Sequence, residues 1–129
     1  MLSTADKALY HLSAVMMGNL LTGLAATAAQ LWEHLGASRA DGLQAVVAMM
    51  RSVVHNLERA GIPAAVAGPY VRDDVGTIRR HLETLSATAP AVLPLYRELA
   101  LAALPFAVEK GALAHDQNQA IRHLIAQYR

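Results

Sequence analysis

The chain has no cysteine, which excludes a disulfide framework and a thiol nucleophile. It is compatible with a reducing cytosol, and a cytoplasmic location is expected. Aromatics are scarce, with one Trp, one Phe and four Tyr, and they are not interleaved with basic residues. A net charge of +1 adds no electrostatic attraction for polyanions, so neither nucleic acid nor an anionic membrane is an expected partner. The six histidines include no i, i+4 pair, and no HExxH or His–carboxylate grouping has ligand spacing, so no metal site is expected. There is no GxSxG elbow for a nucleophilic serine. There is also no GxGxxG turn following a strand, so no dinucleotide cofactor is expected to bind within this chain. Strand alternation, internal repeats and low-complexity linkers are missing too. What remains is helix.

Hydrophobic residues make up 54% of the 129 positions and charged ones only 16%. Such a length suits a single domain over 1–129 with its own core, but the apolar content exceeds what a lone small domain needs. Part of it is expected to be buried against another chain, and a homodimer is the expected form. Ala8 to Trp32 contains no Asp, Glu, Lys or Arg and is long enough to span a bilayer. Its Ala and Gly content, and the polar His11, Ser13, Asn19, Thr22, Thr27 and Gln30, favour a bundle helix instead. No basic segment with a cleavage site precedes it, so a signal peptide is not expected.

Five helices are predicted. The first runs from about Asp6 to Leu35, capped by Ser3 or Thr4 and ended by Gly36, with a ridge of Leu9, Leu12, Met16, Leu20, Leu24 and Leu31. A second ridge is small (Gly18, Thr22, Ala25 or Ala26, Ala29) and admits a close helix neighbour. His11, Val15 and Asn19 follow at spacing four. The second helix, Ser38 to Ala60, is expected to bury Leu43, Val46, Val47, Met50, Val53, Val54 and Leu57. The third runs from Asp74 to about Thr88, with Val75, Ile78, Leu82 and Leu85 inward, Thr77, His81 and Thr84 on an adjacent polar side, and an Arg79–Glu83 pair on its surface. The fourth starts at Pro90, carries Leu93, Tyr96, Leu99 and Leu104, and should kink or restart at Pro105 before Gly111. Asp116 is expected to cap the fifth, which carries Ile121, Leu124, Ile125 and Tyr128. The fold class is all-α.

The segment Gly61 to His81, GIPAAVAGPYVRDDVGTIRRH, compresses turn residues, paired carboxylates, arginines and a histidine between apolar helices. Gly68–Pro69 marks a turn, and Asp73 or Asp74 offers a carboxylate to cap the third helix. Two polar clusters result. His11 with Asn19 has a plain reading as a satisfied buried histidine beside a bundle hydrogen-bonding residue. Arg72, Asp73, Asp74, Thr77 and His81 have a plain reading as a capped helix start with a solvated arginine. Neither cluster carries a function alone.

Two stretches, YHLSAVMMGNLL (Tyr10 to Leu21) and AGPYVRDDVGTIRRHL (Ala67 to Leu82), resemble a known pattern. It belongs to the C-terminal helical domain of a family of Rossmann-like oxidoreductases, known as domain of unknown function 2520. That pattern has a histidine and, eight residues on, an asparagine, then T-G-P-x-x-R-G-D-x-x-T-x-x-x-H. His11 and Asn19 match the first part; Gly68, Pro69, Arg72, Asp74, Thr77 and His81 match the second. Ala67 stands for the usual Thr and Asp73 for the usual Gly. The resemblance covers essentially the whole chain.

It implies a helical bundle like the C-terminal domain of 6-phosphogluconate dehydrogenase-like proteins, related to the dimerisation domains of pyrroline-5-carboxylate and ketopantoate reductases. In those enzymes an N-terminal Rossmann domain holds NAD(P), so the cofactor is implied only for a parent or partner domain. The expected function is a dimerisation and substrate-cleft domain, not competent for hydride transfer alone. His81 and His11 are the candidates for proton transfer. Asn19, Arg72, Asp74 and Thr77 are the candidates for holding a small anionic or carbonyl ligand, with Gly68 and Pro69 shaping the loop. Both clusters are expected to face a common cleft, within one subunit or across the dimer. The rivals are a cofactor-independent helical enzyme using the same residues for acid–base chemistry, and a purely structural oligomerisation module.

Overall fold

The computed structural model describes residues 3–129. Every regular element among them is helical. The first helix, α1, runs unbroken over Thr4–Leu35. Its start is a capping box: the Asp6 amide donates to Ser3 Oγ (3.1 Å) and the Ser3 amide to Asp6 Oδ2 (2.9 Å), so two orphan donors are satisfied reciprocally. It ends as expected at Gly36, whose φ of 80° is left-handed. Within it, Met16–Leu20 form a π turn, which helical periodicity does not predict.

Helix α2 (Arg39–Ala60) returns against α1 at a single close point. A methyl placed on Gly42 would lie 2.6 Å from the Ala29 carbonyl oxygen and 2.8 Å from Trp32 Cβ, so only glycine permits the approach. The small ridge of α1 therefore works locally: Ala25 and Ala29 are buried with Gly42 and Val46. Further towards the N-terminus, Gly18 and Gly23 have no such neighbour.

The chain divides into two compact units, Met1–Arg51 and Ser52–Arg129, with the boundary inside α2. In the second unit, α3 (Val75–Thr88), α4 (Leu93–Glu109, entered through a 3-10 turn at Pro90–Val92) and α5 (His115–Ala126) each pack on the other two. Their apolar stripes supply the core: Ile78, Leu82, Leu104, Ile121 and Ile125 are all but inaccessible. Fully burying side chains of this size stabilises by about 1.5–3 kcal/mol each, before the entropy of ordering them.

Several local expectations are corrected. Of the predicted α2 stripe only Val46 is buried, while Leu43, Val53, Val54 and Leu57 are exposed, since no element of the same unit covers them. α4 does not restart at Pro105, which lies inside it. The proline is exposed, and α4's continuation is secured by Leu104 and Ala107 in the core on either side. Asp116 is in the first turn of α5 rather than at its cap; the Ala114 amide donates instead to Gln117 Oε1 at 2.8 Å. Arg79 and Glu83 do not pair. The Glu83 carboxylate accepts from the Tyr128 hydroxyl at 3.4 Å, and the ion pair present among the described residues is Arg39–Glu33, exposed, at 3.5 Å.

Two helical stretches are long and apolar enough to cross a membrane by length and composition, Thr4–Leu35 and Pro90–Glu109. Only 6% of the apolar window in the first is buried within the chain, against 22% in the second. Neither fraction is that of a helix buried in a core.

Candidate functional site

The loop between α2 and α3 is a wound turn whose bonds run inward. The Val71 amide donates to the Gly68 carbonyl (3.2 Å) and the Asp74 amide to the Pro69 carbonyl (3.0 Å). Gly68 sits at φ 104°, a conformation open to glycine at little cost. A second clamp comes from the far end of α4: Lys110 Nζ donates to the carbonyls of Ala64 and Val66, each at 2.7 Å. Nothing in sequence spacing announces this bond, because its partners lie 46 and 44 positions away.

This winding places Asp74 at the start of α3. Its Oδ1 accepts from the Thr77 amide (3.0 Å) and its Oδ2 from the Thr77 hydroxyl (2.8 Å). Those two bonds, with smaller help from the Arg72 and Arg80 charges, hold the Asp74 carboxyl below its ordinary value of 3.8. Arg72 is exposed and makes no hydrogen bond or ion pair among the described residues, leaving its guanidinium available to an anion.

Asp73 departs from the glycine of the family pattern, and the backbone shows the reason for that glycine: φ is +52°. Asp is among the few residues that tolerate this region. Here its side chain is also tied down, since Gln117 Nε2 donates to Asp73 Oδ2 at 2.8 Å. Because Gln117 caps α5 at the same time, the substitution joins the loop to the last helix.

One turn along α3 from Thr77 stands His81, with an exposed ring. His81 Nδ1 lies 2.8 Å from the hydroxyl of Tyr96 on α4. That hydroxyl in turn accepts a short hydrogen bond from the hydroxyl of Tyr70, in the loop. The His81 and Tyr96 rings meet edge-on, with centroids 5.9 Å apart at 83°. Burial, and then the bond to Tyr96, push the Tyr70 hydroxyl far above its ordinary value. Burial also raises Tyr96, opposed by the bond donated from Tyr70. Both tyrosines stay protonated at neutral pH.

Sequence reasoning missed both tyrosines as site residues. Tyr96 falls on the α4 apolar ridge and reads as core, while Tyr70 occupies an unspecified position of the family pattern. The available signal was chemical: a half-buried tyrosine needs a partner for its hydroxyl.

His11 and Asn19 belong to the first unit and are both exposed, so the plain reading of His11 as a buried histidine is overturned. Asn19 lies within the π turn. Eight α-helical residues would leave it about 80° past the His11 ridge, and the wider turn reduces that advance. Single π turns often mark functional positions. Among the described residues no group of three or more His, Asp or Glu is placed to hold a metal ion.

Together these features define an all-helical chain with a tyrosine-backed histidine and a free arginine at the start of one helix. Residues 1–103 match the family described as a domain of unknown function (DUF2520), and the chain belongs to that family. No curated protein matches the chain, and no solved structure does.

The cap makes a separable prediction. Asp74 is depressed in the folded state, so its contribution is complete above the ordinary carboxylate value. It is lost as pH falls from there through the folded value. Asp74→Ala should lower Tm by a few degrees at neutral pH, through loss of the cap. Asp74→Asn keeps an acceptor for the Thr77 amide, and should retain part of that stability while flattening its acid-side decline. Thermal melts of the three proteins between about pH 2.5 and 7 check this. Identical acid-side profiles for Asp74 and Asn would refute it.

Proposed function

We propose that this chain is the dimerisation and substrate-binding domain of a nicotinamide-dependent reductase-like protein, and that it does not transfer hydride by itself. The observation that carries the reading is the bare apolar stripe of α1. Leu9, Tyr10, Leu12, Met16, Met17 and Leu20 are 52–74% exposed, on a unit whose buried apolar residues are Ala25, Ala29 and Val46. Side chains of this size, so exposed, leave roughly 700 Å² of apolar surface, more than a lone soluble chain usually carries in one patch. A second copy suits this face better than a bilayer. The helix has 32 residues, roughly 48 Å against about 30 Å of hydrocarbon, and its polar His11, Ser13, Asn19 and Thr22 would have to face lipid. A cytoplasmic location follows from the same reading.

On the second unit, Arg72 would hold an anionic group, while Asp74 and Thr77, bonded to each other, fix the start of α3 beside it. His81 would donate to a carbonyl or carboxylate oxygen. His11 and Asn19 remain candidate ligand contacts on the first unit. A nicotinamide dinucleotide does not fit the described residues: none forms a strand, and no glycine-rich turn leads from a strand into a helix to seat the pyrophosphate. No step is therefore routed through it. The His81–Tyr96–Tyr70 chain also favours a second reading, cofactor-independent acid–base catalysis, because it gives an exposed imidazole a hydrogen-bonded partner behind it.

Calorimetry tests the binding role. NADH and NADPH should give no stoichiometric isotherm with this chain, whereas pyruvate, which carries both a carboxylate and a carbonyl, should bind. Arg72→Ala should weaken pyruvate about tenfold or more, the size of a charge-assisted hydrogen bond, with the oligomer unchanged. A micromolar NADH isotherm, or pyruvate binding indifferent to Arg72, would contradict the proposal.

A further inference from the structure

We infer that Tyr96, polarised by Tyr70, fixes neutral His81 as the Nε2–H tautomer, so that its exposed edge offers one proton to a ligand's carbonyl or carboxylate oxygen. The inference concerns the same site as the proposed substrate-binding role and rests on that role for its ligand.

The protons can be counted. The Tyr70 hydroxyl donates to Tyr96 Oη, which leaves the single Tyr96 proton to be placed. The remaining hydrogen-bond partner of that oxygen among the described residues is His81 Nδ1, at 2.8 Å. If Nδ1 carried a hydrogen, either Tyr96 Oη would accept twice with its own proton stranded, or both hydroxyls would reverse and the half-buried Tyr70 proton would be left without an acceptor among the described residues; each arrangement carries a cost. With Nδ1 bare, every hydroxyl donates once and the bonds run in one direction, each strengthening the next. The neutral ring's hydrogen then sits on Nε2, on the far side of an exposed imidazole. Tyr70 and Tyr96 are thus positioning residues. Tyr70 comes from the loop and Tyr96 from α4, so the tautomer depends on the loop being clamped by Lys110 and by the Gln117–Asp73 bond.

Protonating His81 on Nδ1 would reverse both hydroxyls. Tyr96 would then accept from the imidazolium and donate to Tyr70, freeing the Tyr70 proton for another acceptor. The pair can therefore pass a change at His81 to the loop without moving a heavy atom.

Long-range nitrogen–proton NMR of the ¹⁵N-labelled chain at about pH 8, above the ordinary histidine range, reads this without any ligand. The expected result is a protonated Nε2 and a bare Nδ1 whose signal is displaced by an accepted hydrogen bond. Tyr96→Phe should move the Nδ1 signal to that of an unbonded nitrogen. Tyr70→Phe, which keeps the Tyr96 hydroxyl and ring, should move it part of the way, and serves if the first variant fails to fold. Pyruvate affinity should fall about three- to tenfold in Tyr96→Phe, the size of one neutral hydrogen bond. A protonated Nδ1 in the parent chain, or an Nδ1 signal unmoved in a folded variant, overturns the inference. Nitrogen signals as expected, with no pyruvate binding by the parent chain, would support the tautomer and sink the substrate-binding role instead.

Discussion

Leu20→Glu should convert the proposed dimer into a monomer while leaving the helical content intact. Leu20 is 61% exposed within the chain, so the new carboxylate costs little in an isolated copy. In the proposed interface it would be buried among Leu9, Met16 and their counterparts without a cation to pair with. An unpaired charge buried in this way costs about 3–5 kcal/mol, which raises the dissociation constant by at least about a hundredfold. Gln119→Glu, which adds the same charge at an exposed position of α5, is the control and should remain dimeric. Sedimentation velocity across a concentration series measures both. A Leu20→Glu protein as dimeric as its parent would remove the α1 stripe from the interface.

The second large effect is at Gly42. A glycine inside an exposed helix usually costs up to about 1 kcal/mol relative to alanine, so Gly→Ala ordinarily stabilises. Here the added methyl would sit 2.6 Å from a backbone carbonyl oxygen, which cannot turn aside as a flexible side chain can. Overpacking of this kind costs about 1–3 kcal/mol. Gly42→Ala should therefore be destabilising on balance, with α1 and α2 forced apart. Gly18→Ala gives the opposite sign in a single copy, since nothing lies within 4 Å of its new methyl. Urea titration of the two variants at low protein concentration checks the contrast. A more stable Gly42→Ala protein would mean that the α1–α2 approach is looser than described.

The sequence made some of this plain and hid the rest for physical reasons. Helix ends are local chemistry, so Gly36 could be read directly, and the caps at Ser3 and Asp74 to within one residue. The α3 stripe of Ile78, Leu82 and Leu85 was equally legible, because a clean helical period meets a core within its own unit. On α2 the same period failed: Val53, Val54 and Leu57 are periodic yet uncovered, and periodicity says which residues seek burial, not what covers them. The π turn left no compositional trace. The first turn of α5 misled because Asp116 is an attractive cap, whereas Gln117 reaches back to the Ala114 amide and also holds Asp73.

In the candidate site, Arg72, Asp74, Thr77 and His81 came from a motif, and the structure gives each a local environment. The residues behind His81 could not come from the motif. Tyr96 is 26 positions from Tyr70 and 15 from His81, and its hydroxyl finds them only once the loop and two helices are packed. The Lys110 clamp is of the same kind. Tertiary partners of this sort are set by the fold and leave no spacing to read.

The proposed function depends above all on α1 being covered by a second copy of the chain. Multi-angle light scattering on the unmodified protein at tens of micromolar, roughly ordinary assay concentration and well above the dissociation constants of stable interfaces, tests it most directly. The expected mass is twice 13.8 kDa, in plain buffer without detergent. A mass of 13.8 kDa under the same conditions, with the helical content intact, would contradict it.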